Sequence, residues 1–186
     1  MIAAGGKLIA GTAITWSGGG AAVVDNAGLI EGSSRVLNTT SGATGSLVFN
    51  NATGGTVRGA LNPQQAGHAD ATITINNAGV MEAGGRVLDF RNFDGAGASA
   101  VINNLAGGII RQYGSDTDVI RPGNDGVVNN WGTITTDPTF VGGGDLIDFQ
   151  SDTGGKVNNY AGGLMEGSRH VVTGDNAVTV VNSGTM

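Results

Sequence analysis

The chain contains no cysteine, which excludes disulfide frameworks, zinc–thiolate sites and cysteine nucleophiles. Proline is rare, with 3 residues in 186, and no apolar run approaches the roughly 20 residues of a membrane-spanning helix. With only 9 lysines and arginines and a formal net charge of −6, the chain has no basic stripe for nucleic acid. The 35 glycines follow no Gly-X-Y period, which excludes collagen. What remains is a glycine-rich chain that is 39% hydrophobic and can bury a core.

One short phrase recurs along the chain: an apolar pair, then two polar residues that are mostly asparagines, then a corner containing glycine. Its first polar position falls at Asp25, Asn50, Asn76, Asn103, Asn129, Asn158 and Asn182. The intervals are therefore 25, 26, 27, 26, 29 and 24 residues. A sustained period of this length indicates a repeat architecture, in which each unit buries its apolar face against its neighbours.

The third repeat shows what one unit contains. Residues 72–75 alternate threonine with isoleucine, the pattern of a strand with one buried face, and residues 76–79 form a corner of Asn and Gly. Two further short apolar pieces, residues 80–82 and 86–90, are separated by a Gly-Gly pair. The sequence therefore predicts an all-β chain, a parallel β-helix of about seven coils, with three short strands in each coil of ~26 residues. The rule for parallel crossovers predicts that it is right-handed.

Aligning the repeats predicts which residues stack from coil to coil. The column before the polar pair is Val24, Phe49, Ile75, Ile102, Val128, Val157 and Val181. The column after the corner is Ile9, Ile30, Val57, Met81, Ile110, Ile134 and Met165. The third column is Ile14, Leu37, Leu88, Ile120, Ile147 and Val172, and the second coil lacks a clean third strand. An outward column of mostly alternating charge, which would disfavour register slips, is Glu31, Arg58, Glu82, Arg111, Thr135 and Glu166.

We expect residues 1–186 to form a single β-helix segment. The first residues lack the basic region and longer apolar stretch of a signal peptide, and neither end carries the polar cap that solenoids generally need. The sequence therefore predicts a fragment of a longer solenoid whose uncapped ends continue in the parent protein or stack on other copies.

The repeated NN-x-G-x-I corner, in coils that are rich in Gly and Asn and free of Cys, resembles the passenger domains of bacterial autotransporters and related large surface adhesins. The resemblance covers residues 8–186. It implies an extracellular or cell-surface location, with outer-membrane anchoring through a part not present here. It also implies a role in adhesion, self-association or biofilm formation.

Three groups of residues are candidates for special roles. The second polar position predicts a structural ladder of stacked amides, formed by Asn26, Asn51, Asn77, Asn104, Asn130 and Asn159. The position after it predicts an apolar stripe along one corner, formed by Leu105, Trp131 and Tyr160, which could dock another rod, stack on sugars or simply cover the corner. An irregular loop in the second coil offers a further interaction surface, formed by Gln64, Gln65, His68 and Asp70, although a neutral bulge is the alternative.

We expect no catalytic residues, no metal centre and no cofactor. The only histidines are His68 and His170, and no Ser-His-Asp arrangement follows from spacing. The alternative is a carbohydrate-active enzyme of the same fold or a polysaccharide-binding module, since fold alone does not fix function. Whether calcium bridges the Asp-rich later coils stays open; those acidic residues are Asp116, Asp118, Asp125, Asp145, Asp148 and Asp152. The expected partners are other copies of the chain, bound end to end or side by side, and a surface glycan or host receptor.

Overall fold

The computed structural model describes residues 1–17, 19–39, 43–63, 71–92, 95, 97–115, 117–139 and 143–186. Within these ranges the chain forms β-strands and no α-helix, so they offer no helix that is long and apolar enough to cross a membrane. The strands pair in parallel with their counterparts from neighbouring coils. The fold is therefore a parallel β-solenoid, as the repeat predicts.

Three sheets run along the solenoid, one for each strand of a coil. The first sheet contains β2 (Ala21–Asn26), β4 (Ser46–Asn51), β6 (Thr72–Asn77), β9 (Ser99–Asn104), β12 (Val127–Asn130), β15 (Lys156–Asn159) and β18 (Thr179–Asn182). The second contains β1 (Lys7–Trp16), β3 (Leu29–Thr39), β5 (Thr56–Arg58), β7 (Val80–Ala83), β10 (Ile109–Gln112), β13 (Thr133–Thr135) and β16 (Leu164–Glu166). The third contains β8 (Leu88–Asp89), β11 (Ile120–Arg121), β14 (Ile147–Asp148) and β17 (Val172–Thr173).

The number of turns is slightly smaller than predicted. The two larger sheets are each 7-stranded, so each advances by about six steps and the chain makes about six turns rather than seven. The third sheet has fewer separate strands because, in the first two coils, β1 and β3 run without a break from the second face of the solenoid into the third. Ile14 of β1 pairs with Leu37 of β3, and Leu37 bridges to Leu61 and so to Leu88 of β8.

The core is a set of apolar columns that run through the centre of the coil stack. In the first sheet Phe49 pairs with Ile75, and both are fully buried. In the second sheet Val57 pairs with Met81, and in the third Leu88 pairs with Ile120. Burial of a large apolar side chain contributes about 1.5–3 kcal/mol, so each coil stabilises the solenoid only when its neighbours cover it.

The predicted columns are wrong by one residue at each end of the chain. Ile9 pairs with Glu31 and is 60% exposed, whereas Leu8 pairs with Ile30 and belongs to the inward column. At the other end Val180, not Val181, pairs with Val157. Successive side chains on a strand point to opposite faces, so a slip of one residue reverses inward and outward positions. Both slips occur where two apolar residues are adjacent and the alternation is ambiguous.

Two further features of the register differ from the sequence prediction. Asn182 pairs with Asn159 and therefore continues the second polar position rather than the first. The second coil, for which the sequence predicts no clean third strand, fills that column with the fully buried Leu61.

The corner after the first sheet alternates between two forms along the rod. In one form a single glycine follows the residue after the polar pair, as at Gly28, Gly79, Gly132 and Gly184. In the other form the corner is longer and ends in two glycines, the first with positive φ; these first glycines are Gly5, Gly54, Gly107 and Gly162. Since the two forms alternate without exception over the described corners, the structural repeat is a pair of coils.

Glycine is required at these corners for two reasons. Gly107 has a φ of 81°, a left-handed conformation that other residues rarely adopt. At Gly79 a Cβ atom would lie 2.3 Å from the carbonyl oxygen of Gly55 in the preceding coil. The corners therefore let successive coils approach each other closely.

Candidate functional site

The second polar position forms an unbroken file of amides, which are buried except for the last, Asn182. Each side chain donates from Nδ2 to Oδ1 of the next coil, at 2.8 Å for Asn51 to Asn77 and 2.9 Å for Asn77 to Asn104. The file runs from Asn26 to Asn182, and we call it the inner ladder; its members are Asn26, Asn51, Asn77, Asn104, Asn130, Asn159 and Asn182.

The inner ladder also pairs the backbone of the corners. Oδ1 of Asn77 accepts a hydrogen bond from the amide of Gly79 at the short corner. At the long corner, Nδ2 of Asn104 instead donates to the carbonyl oxygen of Gly108. An asparagine thus accepts from a backbone N–H at the short corner and donates to a backbone carbonyl at the long corner, because a side-chain amide can do both.

A second amide file lies beside the first on the outer surface. Asn76 donates from Nδ2 to Oδ1 of Asn50 at 2.9 Å, so the direction is opposite to that of the inner ladder. Asn50 in turn donates to a carboxylate oxygen of Asp25 at 2.8 Å, and a carboxylate suits this end because it can only accept. We call this the outer ladder; its members are Asp25, Asn50, Asn76, Asn103, Asn129 and Asn158. Sequence reasoning recognised the repeated position but did not assign it a ladder.

The second sheet carries the column of alternating charge in the predicted register. Arg58 lies 3.0 Å from Glu31 and 3.0 Å from Glu82, and Arg111 lies 2.6 Å from Glu82. Glu82 is buried, which by itself raises the pKa of its carboxyl, but hydrogen bonds from Arg111 and Arg58 outweigh burial and hold that pKa below its usual value. The same bonds, from Glu82 first and then Glu31, raise the pKa of Arg58. The Glu82 carboxylate therefore serves as the pairing partner of both arginines.

The third sheet gathers three carboxylates that come from two neighbouring coils. Oxygen atoms of Asp118, Asp145 and Asp148 lie within 4.8 Å of one another. The guanidinium of Arg121 lies between two of them, 2.7 Å from Asp118 and 3.4 Å from Asp148. An arginine thus occupies the place where a bridging cation would compensate the charge. The side-chain chemistry fits an ion-paired cluster better than a calcium site.

Hydrogen bonds account for most of the remaining carboxylate oxygens in this cluster. Asp145 lies 2.9 Å from Nδ1 of His170 and accepts from the hydroxyl of Thr173 at 2.8 Å. Asp118 accepts from the backbone amide of Asp145 at 3.0 Å. Burial raises the pKa of Asp118, but this amide and the guanidinium of Arg121 outweigh it and keep the pKa low. A carboxyl that stays ionised to low pH is a poor general acid.

An open cleft of about 740 Å³ lies beside this cluster, near the last coils. Asp145 and Asp148 reach its wall, together with Arg169, Thr173 and Asn176. The wall also contains Val172, Val178 and Val180, which face the core, so the cleft lies on the open side of the last coil; it was not predicted from the sequence. The loops that shape it differ in length from coil to coil, so no repeating pattern marks them.

The corner stripe assembles in part. The rings of Trp131 and Tyr160 are stacked with centroids 4.2 Å apart and planes within 2°. Leu105 and Tyr160 are 38% and 37% exposed. Because each ring covers one face of the other, a sugar lying along this corner would meet mainly ring edges, so stacking on a glycan is not what the geometry favours. An apolar cover that a second protein surface could extend fits better.

The remaining predicted site residues cannot be placed. Gln64, Gln65, His68 and Asp70 lie outside the described residues, as does Asp116. Asp125 and Asp152 lie apart from the carboxylate cluster in sequence and are not among its members. In the described ranges His170 contacts Asp145 and Arg169, and no serine completes a triad with that pair.

Comparison with known proteins gives no relative. No family model matches the chain, and neither the curated proteins nor the solved structures include a significant match. The function has to be argued from the molecule itself.

Proposed function

We propose that the chain is a rigid, non-catalytic segment of a bacterial surface-exposed or secreted adhesin, which supports adhesion, self-association or biofilm formation. The observation that carries the proposal is the unbroken inner ladder, which links the described coils from Asn26 to Asn182. A side-chain file that is continuous over the whole length resists bending between coils. Such a rod is suited to hold binding regions at a distance.

The chemistry of the charged residues also supports a structural role. Glu82 and Asp118 have depressed pKa values; Glu82 is held by arginines on the two neighbouring strands, and Asp118 by Arg121 of its own coil and Arg86 of the preceding one. Catalytic carboxyl groups are more often tuned toward neutral pH and left accessible to substrate. The resemblance of the repeated corner to autotransporter passengers points to the same class and to an extracellular location.

Self-association is part of this proposal. The last coil presents a partly open apolar position, since Val180 pairs with the buried Val157 yet is 45% exposed, and open strand edges favour further pairing. The corner stripe of Leu105, Trp131 and Tyr160 offers a lateral route. A surface glycan or host receptor is a further expected partner.

The test uses the purified chain coupled at one end to microbeads. We expect the beads to cluster with one another and to be retained on epithelial cells or abiotic surfaces more than beads coated with an unrelated protein of similar charge. Absence of both clustering and retention would contradict the proposal.

The alternative is a polysaccharide-binding or polysaccharide-cleaving module, and the cleft beside Asp145 and Asp148 is the observation in its favour. Glycosidases use paired carboxyl groups a few ångströms apart, as in this cluster. Incubation with acidic and neutral polysaccharides would reveal new reducing ends or unsaturated products. If products form and Asp148→Asn abolishes them while Asp25→Asn does not, the enzyme is the correct reading.

A further inference from the structure

The outer face of the first sheet differs from the other two faces in its charge. Its central strands β4, β6, β9 and β12 present two uncharged columns, which together we call the neutral face. One column is Val48, Thr74, Val101 and Val127, and the other is Asn50, Asn76, Asn103 and Asn129. These side chains are half-buried, while the alternate residues of the same strands are fully inward.

Charge of both signs lies on the other two faces. The second sheet carries Arg58 and Arg111 with their glutamates, and the third carries Arg86 and Arg121 with their aspartates. A chain with a net charge of −6 repels its copies, and repulsion is weakest where two uncharged surfaces meet. The neutral face is therefore the side on which two copies can approach most closely.

Two opposite charges flank the neutral face at equal distances from its middle. Asp25 lies on β2, two strands before β6, and Lys156 lies on β15, two strands after β9. If two copies meet face to face with antiparallel rods, a two-fold axis between β6 and β9 places β2 of each copy over β15 of the other. At each end of the contact, the Asp25 carboxylate of one copy then lies near the Lys156 ammonium of the other. Parallel rods would instead place like charges together.

We propose that the neutral face binds the same face of a second copy in an antiparallel two-fold dimer. The proposal rests on the self-association in the proposed function and names its surface and symmetry. A two-fold contact of a face with itself is the commonest form of protein self-association. The corner stripe, which borders this face, lies at the rim of the contact.

The area of the contact indicates the class of interface to which the dimer belongs. The contact covers the four strands of the neutral face and the flanking strands β2 and β15; six strands at ~4.8 Å spacing, about five residues long at ~3.3 Å, give on the order of 1,000 Å² buried over both copies. Specific stable interfaces bury about 1,200–2,000 Å², so this contact falls just below that range, among the weak and transient ones. We expect a reversible dimer that forms at micromolar or higher concentration and would gain from tethering many copies on one surface.

The absence of cysteine permits a direct test by cross-linking. Antiparallel packing brings Val48 of one copy over Val127 of the other. Chains with Val48→Cys mixed with chains with Val127→Cys should be joined by a short bismaleimide linker, several-fold more than either variant with itself. Thr135→Cys on the second sheet is the matched control and should stay uncoupled. Predominant coupling of Val48→Cys with itself would mean a parallel dimer and would overturn the proposal.

A charge exchange tests the two ends of the contact. Lys156→Glu places acidic groups at both ends and should weaken the dimer, measured by sedimentation equilibrium, on the order of tenfold. Adding Asp25→Lys to that variant should restore most of the loss. Thermal unfolding of each variant checks that the monomer stays folded, since Asp25 ends the outer ladder. Equal weakening by both variants, with no recovery, would contradict the pairing.

The remaining outcomes separate this proposal from the proposed function. If the chain dimerises in solution but Val48→Cys and Val127→Cys are not cross-linked, the contact lies elsewhere. That result would overturn this proposal but not the self-association in the proposed function. A chain that stays monomeric at millimolar concentration also overturns it. Retention of coated beads on foreign surfaces does not depend on the dimer and continues to test the adhesive role.

Discussion

The corner after the first sheet and the charged face of the third sheet hold the coils together in different ways. At the corner the same uncharged residue, asparagine, returns in every coil and binds its copy above and below. On the third sheet each position carries a different residue: Asp89 pairs in the strand ladder with Arg121, and the next coil places Asp148 beside it. Identical contacts hold any coil to any other, whereas different contacts specify which coil is next. The solenoid needs both, because identical ladders alone would allow the register to slip by a whole coil.

The largest effect is expected on the third sheet, where the contacts differ from coil to coil. Arg121→Ala removes the buried guanidinium that pairs with Asp118 and Asp148 and leaves Asp118 with Arg86 at 3.4 Å, so the cost should lie near the lower end of the ~3–5 kcal/mol that breaking a buried ion pair costs. Urea unfolding would measure the loss. Arg169→Ala is the control: its side chain is half exposed and also lies near a carboxylate of the same cluster, and it should cost less than about 1 kcal/mol. Similar costs for the two variants would show that the cluster is not held by Arg121.

The next largest effect is expected at the corner after the first sheet, where the same asparagine recurs in every coil. Asn77→Ala breaks the inner ladder and leaves buried groups of Asn51, Asn104 and Gly79 without partners, at a cost of about 1–3 kcal/mol. Asn76→Ala removes the neighbouring member of the half-buried outer ladder and should cost less, since water can replace its bonds. Thermal unfolding of the two variants compares the ladders directly. An Asn77→Ala variant of normal stability would disprove the structural role of the inner ladder.

These contrasts show what the sequence can reveal. The inner columns and the inner ladder can be predicted from the repeat, because an apolar residue stacks on an apolar residue of the next coil and an asparagine on an asparagine. The same reasoning misplaced Ile9 and Val181, because each has an apolar neighbour that fits the column equally well. Alternation of the corners was missed because the repeats were aligned on the asparagines, which occur in both forms of corner.

The charged cluster and the cleft could not be predicted in the same way. Asp118 and Asp145 align as ordinary members of one column, and nothing in their spacing shows that Arg121 lies between Asp118 and Asp148. The position of that guanidinium depends on how the third strands enter and leave the coil. The loop that carries Gln64, Gln65, His68 and Asp70 lies outside the described residues and remains a prediction.

A smaller effect is expected on the second sheet. Arg58→Glu places a carboxylate between Glu31 and Glu82, so three successive coils carry like charge. Stability should fall by about 1 kcal/mol, because Arg111 still pairs with Glu82, and added salt should restore part of the loss. Chemical unfolding at low and high ionic strength measures both effects. A neutral result at low salt would contradict the register of the second sheet.

Acidification should leave stability unchanged near neutral pH and lower it only in acid. This effect distinguishes the ion pairs, which titrate, from the amide ladders, which do not. Glu82 and Asp118 have folded pKa values below their ordinary values of 4.5 and 3.8, so the unfolded chain binds more protons in that range. Their contribution to stability is therefore complete above about pH 5 and is lost as pH falls through the folded pKa values. Hydrogen exchange between pH 3 and pH 6 should show the second and third sheets opening before the first. Uniform opening would mean that the ion pairs add no local stability.

The most direct test of the account measures the rise of the coils. Nitroxide labels on Val23→Cys with Lys156→Cys join positions five strand steps apart in one column, and Val23→Cys with Thr179→Cys join positions six steps apart. At ~4.8 Å per step the two distances should be about 24 and 29 Å, each with a narrow distribution, when labelled chains are diluted with unlabelled ones. Equal distances, or distributions broader than one coil spacing, would contradict a rigid parallel solenoid in this register.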